Sequence, residues 1–374
     1  MSKKAVRSLI PTTGQVKNKM KLKLIIPIVL ISLGLFLGAC SGGTSYNAEP
    51  GITATSNTAY VAFGSFVYAV NLDNGTQSWR YPDSAQSGVS FYSAPLLVDN
   101  MAVVGGYNSI LYGIDLTSHT ASWTFTNATG RYNASPVSAG DLILAANSDH
   151  NLYALDQKGG LKWQYKTNGA LWATPVVDDN RIYAPSMDHS FYAIDLTSHQ
   201  LDWKDDLGAA LLGSPLLTTD GTIYIGTLAG NLYKIKAVDG TVLAHTTLKA
   251  GLWGTPVLDN GKLYIGDQGG NVYSLSADDL SLSWTAAMSA NTSNSVLASA
   301  TVLSDGVVFV NDNGDVVQFT TDGKESWRQS LKGKLYADPV ITGEHLLVAI
   351  KDGDNLVQSF NLNGALGWFF KPPQ

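Results

Sequence analysis

Residue types able to do covalent or metal chemistry are sparse in this sequence. Its one cysteine, Cys40, lies in the stretch LGLFLGACSGG from Leu33 to Gly43. A lone thiol can serve as a nucleophile, a metal ligand, half of an intermolecular disulfide, or the attachment point for another group. The six histidines are dispersed. His150 and His189 each follow an aspartate, which offers one arrangement for a shared metal. Similar segments hold Gly, Asn or Asp there, so turn formation accounts for them better, as it does for His119 and His199. VNDNGDVV, Val310 to Val317, is rich in Asp and Asn, as calcium loops are. It occupies the place held elsewhere by GDQGGN and GTLAGN, and a hairpin turn is the simpler reading. There is no His-Glu-x-x-His, no Gly-x-Ser-x-Gly and no Gly-x-x-x-x-Gly-Lys-Ser/Thr.

The flanks of Cys40 narrow its role. Leu24 to Leu37 is an apolar run of 14 residues, preceded by Lys17, Lys19, Lys21 and Lys23. It is shorter than the ~20 residues that span a bilayer core, and it reads as a secretory signal. Leu37-Gly38-Ala39-Cys40 resembles the bacterial lipobox, which implies a diacylglyceryl group on the Cys40 sulfur and cleavage before it. The expected organisation is a lipoprotein signal peptide over 1–39 with a start at Met20 as the alternative, a lipidated cysteine and tether over 40–50, and a folded region over 51–374.

Charge excludes one class of partner. Residues 1–39 hold seven basic residues and no acid; without them 17 basic residues face 30 acids, a formal net charge of −13. Such a chain repels phosphate backbones, so no nucleic-acid partner is expected. Gly, Tyr and Trp are abundant and charged residues only 14% of the chain, a composition suited to short strands and tight turns.

A period near 40 residues supplies the elements that must position any site. Tryptophans recur at Trp79, Trp123, Trp163, Trp203, Trp284, Trp327 and Trp368, and Ala244 occupies the vacant place. A proline after a small or polar residue recurs at Pro95, Pro136, Pro175, Pro215, Pro256 and Pro339, with Thr301 taken as the empty slot. The segment TPVVDDNRIYAPSMDHSFYAIDLTSHQLDW, Thr174 to Trp203, alternates apolar runs with turn residues four strands deep. Eight such repeats predict an all-β, eight-bladed β-propeller, each blade a four-stranded sheet packed face to face with its neighbours.

LYALDQKGGLKW (Leu152 to Trp163) and LYGIDLTSHTASW (Leu111 to Trp123) resemble the PQQ-like, or quinoprotein-like, propeller repeat. The resemblance implies that the seven periodic tryptophans dock blade against blade. It also brings in the quinoprotein dehydrogenases, which use pyrroloquinoline quinone, calcium and an adjacent cysteine pair. This chain lacks the pair, so no residue carries over as a cofactor ligand, no cofactor or metal is expected, and the dehydrogenase stands as the minority alternative. With the lipobox, the repeats resemble more closely the propeller lipoproteins of the outer-membrane β-barrel assembly machinery. That implies a non-catalytic, membrane-anchored scaffold for protein contacts at the cell envelope, with a barrel assembly protein as partner. A second class is an exported sensor or ligand-binding module.

Three positions before the marker proline the repeats differ, at Tyr92, Asn133, Trp172, Leu212, Trp253, Ala298 and Tyr336. If the innermost strand of each blade begins here, Tyr92, Trp172, Trp253 and Tyr336, with Tyr132 one residue earlier, form a candidate interaction rim at one mouth of the central channel. Packing between inner strands is the competing use of these side chains.

Overall fold

The structure is a computed structural model that describes residues 49–289 and 294–373; Cys40 and the signal region lie outside the described residues. Among the described residues, thirty-two strands form eight four-stranded antiparallel sheets, each built from strands consecutive in sequence. The blades cover 51–81, 96–125, 137–166, 176–206, 216–247, 257–287, 301–330 and 340–370. The chain is the expected all-β eight-bladed propeller.

Burial differs by strand, and the sequence pattern explains why. In the fourth blade, Arg181–Pro185 and Ser190–Asp195 are buried almost throughout because neighbouring blades cover both faces. Such strands read as continuous apolar runs. The outermost strand, Leu201–Asp206, alternates exposed and half-buried positions, one face toward the next blade and one toward water. The first strands are short, Val176–Val177 in this blade, and make their inter-blade contacts with one another, which places them innermost.

Between adjacent blades lie eight hydrophobic clusters, one for each junction. A fully buried Val, Leu, Ile or Phe contributes about 1.5–3 kcal/mol. The ring closes in the same way: Leu347 and Val357 of the last blade pack with Val61 and Val70 of the first. Thr342 Oγ1 donates to Thr55 O across that junction at 2.6 Å. Both terminal blades use their own four contiguous strands, so among the described residues no strand is exchanged to close the ring.

The periodic tryptophans sit at these junctions. Trp123, Trp203 and Trp284 donate their indole N–H to Gln157 O, Ala237 O and Thr321 O, all in the third turn of the next blade. The residue covering the indole in that turn adopts a left-handed backbone. It is Gly159 over Trp123 (φ 79°), Gly323 over Trp284 (φ 83°) and Gly364 over Trp327 (φ 84°). A Cβ on Gly159 would lie 2.6 Å from the Trp123 ring, so glycine fits both the φ and the close approach. His119 and His199 take this place over Trp79 and Trp163, stacked at 4.7 and 4.6 Å with φ of 58° and 59°.

The fifth blade departs from the pattern and compensates. Where Ala244 replaces tryptophan, the covering residue is Leu280, 2% exposed and left-handed at φ 60°. Lys234, paired with Ala244 across the strands, sends its Nζ to Ala277 O at 2.9 Å. Ala277 stands where Ala237 stands for the Trp203 indole, so a lysine supplies the hydrogen bond and a leucine the bulk.

The seventh repeat needs a correction. Thr301 pairs with Val308 as Val257 pairs with Tyr264, so the proline slot is Ala300 and not Thr301. The connection before it, residues 288–300, is longer than its counterpart at 248–256, and with no proline present spacing could not fix the register.

Candidate functional site

Loops entering the eight innermost strands converge on one cavity of about 230 Å³ at the channel mouth. Four of the five expected rim residues line it: Tyr92, Trp172, Trp253 and Tyr336. Glu49, Asn133, Leu212 and Leu297 complete that level of the ring. Leu297 replaces the expected Ala298, which is buried, as the shifted register of the seventh repeat requires.

Tyr132 does not belong to the rim. It is fully buried between the second and third blades, its Cβ against Gly105. The corresponding residues Phe91, Leu171, Leu211, Leu252 and Leu335 are equally buried, because one step along an extended chain turns the side chain to the opposite face.

One step further inward, a second ring consists of the residues that precede the marker prolines. Here, at four of the eight junctions, a side chain of one blade caps a backbone N–H of its neighbour. The N–H groups of Ser135, Thr174 and Thr255 donate to Thr174 Oγ1, Ser214 Oγ and Ser299 Oγ at 3.0, 3.1 and 3.0 Å. Ser299 N–H donates to Asp338 Oδ1 at 2.6 Å. These inter-blade bonds occupy backbone donors that have no ladder partner, and they fix the inner strands relative to one another.

Asp338 is the one acid of this inner level. It is exposed, and its surface opens into the cavity. Loss of hydration raises its carboxyl pKa above the ordinary carboxylate range, against the opposing bond from Ser299 N–H. Among the described residues no lysine or arginine forms an ion pair with it. At the rim, Tyr92 donates its hydroxyl to Glu49 and stacks on Tyr107 at 5.0 Å. Burial, and then the Glu49 charge, push the Tyr92 phenol far up. Arg131 lies over the other aromatic of that pair, 5.0 Å from the Tyr107 ring centre, and Lys351 lies 5.4 Å from that of Tyr336.

Sequence reasoning missed Glu49, which it placed in the tether, and Asp338. The second left a signal: the slot before the proline is otherwise small or a hydroxyl residue, and an aspartate there breaks the pattern.

The remaining candidates are structural turns. His150 and His189 occupy left-handed positions, with φ of 75° and 72°. In VNDNGDVV, Asn311 Oδ1 accepts from Asn313 N–H and Asp315 N–H, while Gly314 supplies the left-handed step. Among the described residues no three His, Cys, Asp or Glu side chains gather as a metal site.

The sequence matches the family described as outer membrane protein assembly factor BamB over residues 3–220, 200–317 and 289–372. Among solved structures, the fold is similar to BamB from Moraxella catarrhalis, with a TM-score of 0.72 and 17% identity over 83% of this chain and 96% of that one. It is similar also to the computationally designed Ika8 protein, with a TM-score of 0.71 and 11% identity over 85% of this chain and 97% of that one. No curated protein matches the sequence.

Proposed function

Because the chain belongs to the outer membrane protein assembly factor BamB family, we propose that it is a non-catalytic scaffold, lipid-anchored through Cys40, that holds a partner protein at the cell envelope. The partner is an outer-membrane β-barrel assembly protein. The observation that supports this most is the mouth itself. Of nine tryptophans, the seven periodic ones occupy the outermost strands, and Trp172 and Trp253 face the cavity instead. Tyr and Trp carry much of the energy of protein contacts.

The residues of the mouth do not suit pyrroloquinoline quinone. That cofactor is a polycarboxylate, whereas the charged residues lining the cavity are Glu49 and Asp338, both acids. No cysteine pair stands in the chain either.

A photo-crosslinking amino acid at Asn133, which lines the mouth, should capture a barrel assembly protein in cells and yield it by mass spectrometry. Crosslinking that repeatedly recovers no outer-membrane barrel protein would overturn the partnership. Cys40→Ser tests the anchor separately: the protein should leave the membrane fraction or accumulate as uncleaved precursor. A lipid contributes roughly 0.8 kcal/mol per buried CH₂, so its loss removes that attachment energy from the processed chain.

A further inference from the structure

We propose that the cavity at the channel mouth is a binding site for an alkylammonium group, held between the rings of Trp172 and Trp253 and the carboxylates of Glu49 and Asp338. The proposal rests on the reading of the mouth as a contact surface and names the chemistry that surface selects.

Among the described residues, both charged residues lining the cavity are acids, Glu49 and Asp338. Asp338 belongs to the inner ring and, among the described residues, accepts a hydrogen bond only from Ser299 of the neighbouring blade. Its surface is open to the cavity, no cation pairs with it among the described residues, and a bound ammonium would supply the missing partner. Aromatic rings supply the second half of the recognition, since a cation is attracted to a ring face within about 6 Å of its centre. This mouth already uses that attraction at its periphery, where Arg131 lies over Tyr107 and Lys351 over Tyr336. Neither of those basic residues lines the cavity. The indoles of Trp172 and Trp253 have no ring, cation or hydrogen-bond partner among the described residues, and Trp172 is exposed. Two unused indoles and two carboxylates lining one cavity select a cation over an anion or a neutral chain.

The ammonium can come from a free amine or from a lysine side chain of a protein. The test titrates full-length protein in detergent micelles with pentylamine and with its neutral match, 1-pentanol, following indole fluorescence and calorimetric heat. A capped Ala-Lys-Ala peptide and its Ala-Gln-Ala counterpart form a second pair. The expected result is saturable binding of at least one amine, tenfold or more tighter than its neutral match. Asp338→Asn, which keeps an acceptor for Ser299 N–H, should weaken that binding at least tenfold. Trp253→Leu should weaken it and shrink the fluorescence change, with Trp253→Phe as the substitute if circular dichroism shows the first variant misfolded. Tighter binding of pentylamine assigns a soluble amine, and tighter binding of the lysyl peptide assigns a protein-borne one. Equal binding of amine and neutral match, no saturable binding of either amine, or unchanged affinity in Asp338→Asn overturns the proposal. The titration needs no partner. A barrel crosslink without amine binding would therefore sink this inference and leave the scaffold reading standing, and the opposite result would do the reverse.

Discussion

The fifth blade permits a quantitative test of how the propeller packs. If Leu280 and Lys234 stand in for the tryptophan missing at Ala244, then Ala244→Trp alone should destabilise the protein. In the other blades a Cβ on the covering glycine would come within 2.6 Å of Trp123 or 2.4 Å of Trp327, so an indole at 244 meets the side chain of Leu280. Overpacking of this kind costs about 1–3 kcal/mol. Leu280→Gly alone removes a side chain that is 2% exposed. Emptying such a site costs about 2–5 kcal/mol by analogy with leucine-to-alanine changes. Relief of a left-handed backbone returns about 1–2 kcal/mol of that. The two changes together, with Lys234→Ala to restore the small residue seen at Ala154 and Ala193, should recover most of both losses. The coupling between positions 244 and 280, measured in the Lys234→Ala background, should then reach at least about 2 kcal/mol, toward the upper part of the range for residues in contact. Urea unfolding followed by circular dichroism reads it: at a slope of about 3 kcal/mol/M, 2 kcal/mol moves the midpoint by about 0.7 M. A neutral Ala244→Trp, or a triple variant as unstable as that single one, would refute the exchange.

Three further outcomes follow from the rings and turns. Thr174→Val removes the oxygen that accepts from Ser135 N–H at 3.0 Å, leaving a donor unsatisfied at a cost of about 1–3 kcal/mol, measurable as a lowered urea midpoint. Asp338 has a folded pKa raised above its unfolded value of 3.8, so the folded state binds the proton more tightly and stability falls as pH rises from near 3.8 through the raised value. Asp338→Asn should abolish that slope and stabilise the protein at neutral pH relative to the parent, and melting curves that keep the slope in the variant would contradict the assignment. Gly323→Val places a Cβ 2.7 Å from the Trp284 ring at φ 83°, and both clash and backbone should lower the melting temperature more than the same change at Gly221, where a Cβ meets nothing within 4 Å.

The blade count was legible because each marker serves an obligatory contact. Every tryptophan of the period meets the next blade, so its spacing reports blade repetition directly. The mouth was less legible because its membership turns on single-residue steps. Tyr132 and Asn133 are adjacent, yet one is core and the other faces the cavity. Without a proline in the seventh repeat the same step put the expected rim position at Ala298, whereas Leu297 lines the cavity. Glu49 precedes the first strand, Gly51–Ala54, in a repeat that has no marker proline, and its place on the ring emerges only when the first blade is closed against the others.

A repeated fold offers its own criterion for separating packing from function. Each equivalent position faces nearly the same surroundings, so a departure from the repeat must be absorbed by a neighbour or left to something outside the chain. Ala244 is absorbed: Leu280 fills the volume and Lys234 makes the hydrogen bond. His119 and His199 are absorbed by stacking on Trp79 and Trp163. Asp338 is different. It replaces a hydroxyl with a carboxylate, keeps the bond to Ser299 N–H that a hydroxyl would have made, and forms no ion pair among the described residues. Trp172 and Trp253 depart in the same sense, with large rings lining a cavity and no ring, cation or hydrogen-bond partner among the described residues. The uncompensated departures fall in one place, and that coincidence is why the channel mouth, more than the blade edges or the histidine turns, is where a ligand or partner would complete the structure.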